Sequence, residues 1–180
     1  MSTTRDPDPS SGPDSKGGEA APPEIAVRFE DSRGYLAALL TVLGEARRAV
    51  CIYTRDLEPL ILDRQPVLDE LRKTAIKGRA SIRILVQDLA PAIHSGHRII
   101  ETSRRMSSSY AIRKVDGEDC QYPSAFVTTD AGAWLLRSFG DLYEGEGNRY
   151  DPPKARQLNR YFDEVWERAS VPVEFRALGI

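Results

Sequence analysis

Hydrophobic residues recur at two spacings between residues 25 and 170. Spacings of three or four residues predict amphipathic helices, whereas short β-branched runs or strict alternation predict strands. The predicted elements, in chain order, are an edge strand at 26–29, a helix over 35–43, a strand at 49–53, a helix over 67–78, a strand at 81–88, a helix over 95–106, strands at 110–115, 124–128 and 133–137, and a closing helix over 152–169. This order predicts an α/β fold: a mixed sheet with parallel pairs, a final antiparallel pair, and helices packed on both faces.

Two segments depart from this pattern. Residues 1–23 contain Pro, Gly, Ser and charged residues but almost no apolar ones, so we predict a disordered N-terminal arm followed by one domain over residues 24–180. Residues 139–151 contain three glycines and are predicted to form a long loop. Asp31 or Ser32 is the predicted N-cap of the first helix.

Composition narrows the class of protein. The 180 residues are 41% hydrophobic and 29% charged, with a formal net charge of −2, which is typical of a soluble globular domain. This charge argues against wholesale binding of nucleic acid or an anionic membrane, and no apolar run or signal pattern indicates a membrane span or secretion. Cys51 and Cys120 do not make a disulfide framework. We therefore expect a bacterial-style cytoplasmic protein.

Charged residues follow the predicted parallel strands, where open α/β sheets bind ligands. Arg55 and Asp56 follow the first of these strands, Asp88 closes the second, and Arg104 and Arg105 precede the third, where the helix predicted over 95–106 passes into a loop. A site for an anion or a phosphoester is one interpretation. The alternative is that these charges pair with one another and cap helix ends.

The order of elements resembles one half of the phospholipase D superfamily, over roughly residues 36–169. Three stretches carry the resemblance: GEARRAVCIY, LDELRKTAIKGRASIRILVQD and DPPKARQLNRYFDEVWERA. The resemblance implies a phospholipase D-like half, in a bacterial family of stand-alone domains of unknown function. By analogy it also implies a homodimer, because two such halves build one active site in that superfamily.

The superfamily's catalytic motif is His-x-Lys, four residues and then Asp, followed by Gly-Ser and an Asn. The His is the nucleophile, and the Lys and Asn hold the phosphate oxygens. With Asp130 as the anchor, the His position is Pro123 and the Lys position is Ala125, whereas Ser138 agrees with the motif. Gly140 takes the Asn position. Loss of a nucleophile alone can lower a rate by about 10⁶-fold, so we do not expect phosphodiesterase activity of the usual type.

Arg137 stands where the motif has Gly. A guanidinium at this place either fills the empty site, paired with Asp130, or offers an anion a bidentate partner. We favour the filled site. The sequence thus predicts a non-catalytic phospholipase D-like domain, without cofactor or metal, that acts as a ligand-binding or protein-interaction module.

Two alternatives remain at this stage. One is an enzyme or phosphate-ligand-processing protein with a relocated site built from Asp56, Asp88, His97, Arg104 and Arg105. The other is a nucleic-acid-binding module. Its basic residues would come from the segment 97–114, which contains four Arg and one Lys around a Tyr.

Overall fold

The computed structural model describes residues 26–173. The predicted arm, residues 1–23, lies outside the described residues. The elements are β1 (Ala26–Phe29), α1 (Ser32–Gly44), β2 (Ala49–Thr54), α2 (Gln65–Ala75), β3 (Ser81–Val86), α3 (Ala90–Ser95), α4 (Arg98–Arg105), β4 (Tyr110–Lys114), a 3₁₀ turn (Gly117–Gln121), β5 (Ala125–Thr129), β6 (Trp134–Arg137), β7 (Gly145–Asn148) and α5 (Pro152–Arg168).

The seven strands form one mixed sheet in the order β1-β7-β6-β5-β2-β3-β4. β2, β3 and β4 are parallel, as the strand-helix-strand pattern predicts. β5 pairs antiparallel with β2, and the remaining pairs up to β1 are also antiparallel. The predicted α/β class is therefore confirmed: one mixed sheet carries helices on both faces.

The two faces of the sheet carry separate hydrophobic cores. On one face, α1, α2 and α4 cover side chains such as Val50, Ile84 and Leu135. On the other face, α5 covers an aromatic core that includes Phe126 and Trp134. Asp31, one of the two predicted caps, is the N-cap of α1: its carboxylate accepts a hydrogen bond from the Gly34 backbone N–H at 2.6 Å.

The structure corrects two predicted elements. The single helix predicted over 95–106 is two helices, because Gly96 adopts a left-handed conformation (φ 67°) that ends α3 before α4 begins. The predicted loop 139–151 contains a strand, β7, between β6 and β1. Arg104 and Arg105 lie in the last turn of α4, within the range predicted to be helical.

The parallel strands define two ends of the sheet. We call the side at which β2, β3 and β4 finish the carboxyl end of the sheet, and the side at which they begin the amino end. Because β5 runs against β2 and β6 runs against β5, β5 begins and β6 finishes at the carboxyl end.

Candidate functional site

The positions aligned with the superfamily's motif, except Asp130, meet at the carboxyl end of the sheet. Ala125 at the start of β5 pairs with Arg137 at the end of β6, and the next residue, Phe126, pairs with Tyr53 near the end of β2. This is the end at which open α/β sheets bind ligands. The backbone therefore places these positions where a ligand could bind, and the side chains there decide whether one can.

Pro123 and Ala125 provide no catalytic group, and the chain packs closely around them. The Gly140 backbone N–H donates to the Pro123 carbonyl at 2.7 Å. A Cβ at Gly140 would lie 3.5 Å from the Ala125 Cβ, which is ordinary packing distance. Ser138 is exposed, and its carbonyl accepts a hydrogen bond from the Ser124 hydroxyl at 3.0 Å. The loop after β6 thus lies directly over the start of β5.

Arg137 fills the space between this loop and the sheet. Its side chain is only 1% exposed, and its Nη2 forms an ion pair with Glu58, which is also buried. Its Nη1 donates to the Leu142 carbonyl at 3.0 Å. The guanidinium carbon lies 4.5 Å from the ring centroid of Tyr35 and 5.3 Å from that of Tyr143. Two of its three nitrogens therefore donate to protein groups, and two aromatic rings pack against the guanidinium.

The predicted partner of Arg137 was wrong. Asp130 lies at the other end of β5, at the amino end of the sheet, where its two carboxylate oxygens accept hydrogen bonds from the backbone N–H groups of Arg47 and Arg48 at 2.9 and 3.0 Å. It fixes the chain where β2 begins. The length of β5 separates the retained Asp from the ion pair, so Asp130 cannot reach Arg137.

Glu58 is held in the loop after β2 by unusual backbone geometry. Leu57 and Glu58 both have positive φ, 65° and 41°, a region that costs L-residues about 1–2 kcal/mol each. The Oε1 atom of Glu58 accepts a hydrogen bond from the Thr54 hydroxyl at 3.0 Å in addition to the Arg137 pair. Within the described chain, Glu58 Oε2 and Arg137 Nε have no hydrogen-bond partner. The pair is thus buried, but one of its acceptors and one of its donors make no hydrogen bond.

Burial shapes the ionisation of the groups around this pair. Burial raises the pKa of Glu58, and the Arg137 guanidinium opposes that rise. Burial likewise raises the pKa of the Tyr35 phenol, so this ring stays neutral against the guanidinium. The arrangement is a desolvated ion pair beside two neighbouring aromatic rings. It can hold the loop after β6 against β2, but it presents no exposed cation to a ligand.

Other predicted site residues at the carboxyl end have local partners. Asp56 and Asp88 each accept, through Oδ1, a hydrogen bond from the backbone N–H two residues further along at 3.0 Å. Arg55 lies 3.9 Å from Asp141, and both side chains are more than half exposed. Exposed pairs of this kind contribute little stability, so Arg55 remains accessible to solvent.

His97 is buried between the loop after β2 and the start of α4. Its Nε2 lies 3.0 Å from the Leu57 carbonyl and therefore carries the proton, while its Nδ1 accepts from the Ile99 backbone N–H at 3.2 Å. Burial lowers the pKa of His97, although Asp63 nearby opposes this. Both ring nitrogens are engaged with backbone groups. The geometry gives this imidazole a structural role as the cap of α4.

Arg104 and Arg105 do not join the charges at the carboxyl end. They lie in the last turn of α4, which leads to the first residue of β4 at the amino end of the sheet. Arg105 forms an exposed ion pair with Glu101, one helical turn earlier. Arg104 and His97 line a groove of about 350 Å³ along α4. The structure thus separates the predicted residues into two groups, one at each end of α4.

The sequence did not indicate Glu58, Tyr35 or Tyr143 as site residues. The available signal was indirect: a bulky cation at position 137 requires an acidic partner if it is buried, and Glu58 follows the predicted first parallel strand closely. In the described part of the chain, three or more His, Cys, Asp or Glu side chains nowhere converge as metal ligands. No helix within residues 26–173 combines the length and the apolar character that crossing a bilayer requires.

Solved structures with the same fold include two proteins of low sequence identity. The chain is similar to NucT from Helicobacter pylori, a phospholipase D-like protein, with a TM-score of 0.61 and 13% identity over 82% of this chain and 98% of NucT. It is also similar to TrmBL2, an archaeal chromatin protein with a novel mode of DNA binding, with a TM-score of 0.61 and 15% identity over 86% of this chain. The chain spans 56% of the length of TrmBL2.

No curated protein matches the sequence. A family model does match it, over residues 31–178, which include every described helix and all strands except β1. The chain therefore belongs to the family described as Domain of unknown function (DUF7931).

Proposed function

We propose that this domain is a phospholipase D-like binding module that has lost the catalytic chemistry of the superfamily. The buried pair of Arg137 and Glu58 is the observation that carries the proposal. It occupies the carboxyl end of the sheet beside Pro123 and Ala125, the positions aligned with the catalytic His and Lys. A phosphoester would meet no nucleophile at these two positions, and the Arg137 cation beside them is already paired with Glu58.

Hydrolysis assays test this proposal. We expect the purified chain to release no p-nitrophenol from bis(p-nitrophenyl) phosphate and to leave labelled DNA intact, with and without divalent metal ions. A commercial phosphodiesterase serves as the positive control. Turnover that survives further purification, and that Asp130→Ala or Ser138→Ala abolishes in folded protein, would show that the motif remnants are catalytic.

The relocated site is less well supported by the geometry, although it stays a prediction. Asp56 and Asp88 hold backbone N–H groups, and His97 is engaged through both nitrogens. Activity that depends on metal or pH and is lost in His97→Ala would support it. The homodimer also stays a prediction, and light scattering measures it.

Nucleic-acid binding is the second candidate function. The similarity to TrmBL2 favours it, because TrmBL2 is a DNA-binding chromatin protein and the shared fold covers 86% of this chain. The predicted basic segment does not form one surface, however. Arg98 is bound to Asp63, and Arg113 packs on Trp166 on the other face of the sheet. A nucleic-acid surface must therefore be sought elsewhere on the domain.

A further inference from the structure

The sheet separates the charges of the domain between its two ends. The loops and helix ends at the amino end contain nine Arg and Lys residues and three Asp and Glu residues, in the segments 45–48, 77–80, 104–109, 130–133 and 149–156. The corresponding segments at the carboxyl end contain four basic and eleven acidic residues, in 30–34, 55–64, 87–98, 115–124 and 138–145. The overall charge of the chain conceals this asymmetry. An anionic partner is attracted to the amino end and repelled from the carboxyl end.

A cleft of about 400 Å³ opens at the amino end, between the chain before β2, the turn from β5 to β6, and the start of α5. The turn from β5 to β6 packs closely against the start of α5 on one side of this cleft. Gly132 in the turn has φ 87°, and a Cβ there would come within 2.9 Å of Pro152. The Asp151 backbone N–H donates to the Gly132 carbonyl at 2.9 Å. The groups that line the cleft are therefore presented on a fixed scaffold.

Two guanidinium groups line this cleft. Arg47 comes from the chain before β2, and Arg156 comes from the first turns of α5. Both side chains are exposed, and neither guanidinium has an ion-pair or hydrogen-bond partner among residues 26–173. Asp130 also lines the cleft, but both of its oxygens accept backbone N–H groups. The two arginines are therefore available for phosphate oxygens, which guanidinium groups bind bidentately.

An exposed aromatic ring lies beside these cations. Tyr150 lines the same cleft and is 64% exposed. Its backbone N–H donates a hydrogen bond to the Asn148 side-chain oxygen at 2.8 Å. Exposed rings next to basic groups are the usual platform for an unpaired nucleobase. A base in a duplex is already stacked on its neighbours and cannot use such a ring.

We infer that this cleft binds single-stranded nucleic acid, with Arg47 and Arg156 on successive phosphates and a base stacked on Tyr150. The inference deepens the second candidate function and does not depend on the loss of catalysis. It places the nucleic acid at the end of the sheet opposite the aligned motif. Failure of this inference would appear as absent binding, whereas failure of the proposed loss of catalysis would appear as hydrolysis.

Fluorescence anisotropy with a labelled 20-nucleotide oligo(dT) tests it on the full chain. We expect binding that weakens between 50 and 200 mM NaCl. The logarithm of the association constant should fall with the logarithm of the salt concentration with a slope of about −0.7 per phosphate contacted. The double variant Arg47→Glu, Arg156→Glu is expected to lower affinity at least tenfold and to flatten the salt dependence. Tyr150→Ala is expected to lower affinity about tenfold, within the range known for base stacking, without changing the salt dependence.

The matched control is Arg33→Glu, Arg64→Glu, which makes the same charge change with exposed arginines at the carboxyl end. It should bind as the unchanged chain does. An equal loss of affinity in this control would show that only the net charge of the chain matters, and it would overturn the proposed site. So would an absence of oligonucleotide binding, binding of thymidine monophosphate or inorganic phosphate alone, or equal sensitivity of a 20-base-pair duplex to Tyr150→Ala.

Discussion

Arg137 and Glu58 are 79 residues apart in the chain and meet in a buried site. Each ion needs the other, because a buried unpaired charge is far more costly than a buried pair. The aromatic rings of Tyr35 and Tyr143 exclude water from the guanidinium. The pair therefore behaves as one structural unit that ties β6 to the loop after β2.

A double-mutant cycle measures this unit. Arg137→Met and Glu58→Gln should each lower the free energy of unfolding by about 3–5 kcal/mol, the usual cost of leaving one buried partner uncompensated. The double variant should lose much less than the sum of the two, because it removes both charges. Urea denaturation gives the three differences. Additive losses would mean that the two side chains are not coupled.

His97 should make stability depend on pH. Burial lowers its pKa in the folded protein below the ordinary value of 6.5. As pH falls below 6.5, the unfolded chain binds a proton that the folded chain does not, so the free energy of unfolding decreases until the folded pKa is passed. Unfolding curves from pH 7.5 to 5.5 should show this loss. His97→Gln should show a smaller one, and parallel curves would contradict the assignment.

At the scale of elements, hydrophobic periodicity predicted the strands β2 to β6 and the helices α1, α2 and α5 close to their observed bounds. It failed at β7 because Gly145–Asn148 has no apolar side chain to alternate. The two glycines of that strand are required by close contacts with β6, which only the folded sheet reveals. The same holds for the site. The sequence indicated Arg137, but its partner Glu58 could not be predicted, because the two residues meet only when distant segments of the chain come together.

Substitution of Gly147 tests the account of β7. An added Cβ would lie 2.4 Å from the Trp134 carbonyl and 2.4 Å from a Leu135 methyl group. Gly147→Ala should therefore lower the free energy of unfolding by about 3 kcal/mol, at the upper end of overpacking costs. Gly44→Ala, at the last residue of α1, is the control, since nothing lies within 4 Å of that Cβ and the change should leave the free energy of unfolding nearly unaltered. A harmless Gly147→Ala would place β7 further from β6.

At the scale of the whole molecule, one sheet is shared by both hydrophobic cores. Neither core can lose its packing without exposing strands that the other core needs, so we expect a single cooperative unfolding transition. Trp134 and Trp166 both lie in the core under α5 and report on that face alone. Their fluorescence and the far-ultraviolet circular dichroism should give the same midpoint in urea. A lower midpoint by fluorescence would show that α5 unfolds separately.

The separation of charge between the two ends of the sheet also has a consequence for encounter rates. A chain with a formal net charge of −2 has almost no long-range attraction for a polyanion. Its separated charges nevertheless form a dipole, and a dipole orients a molecule in an external field before contact. At low ionic strength the domain would turn its amino end toward a nucleic-acid strand during diffusion. Fewer collisions would then be wasted on the acidic end, and added salt would slow association by abolishing that orientation.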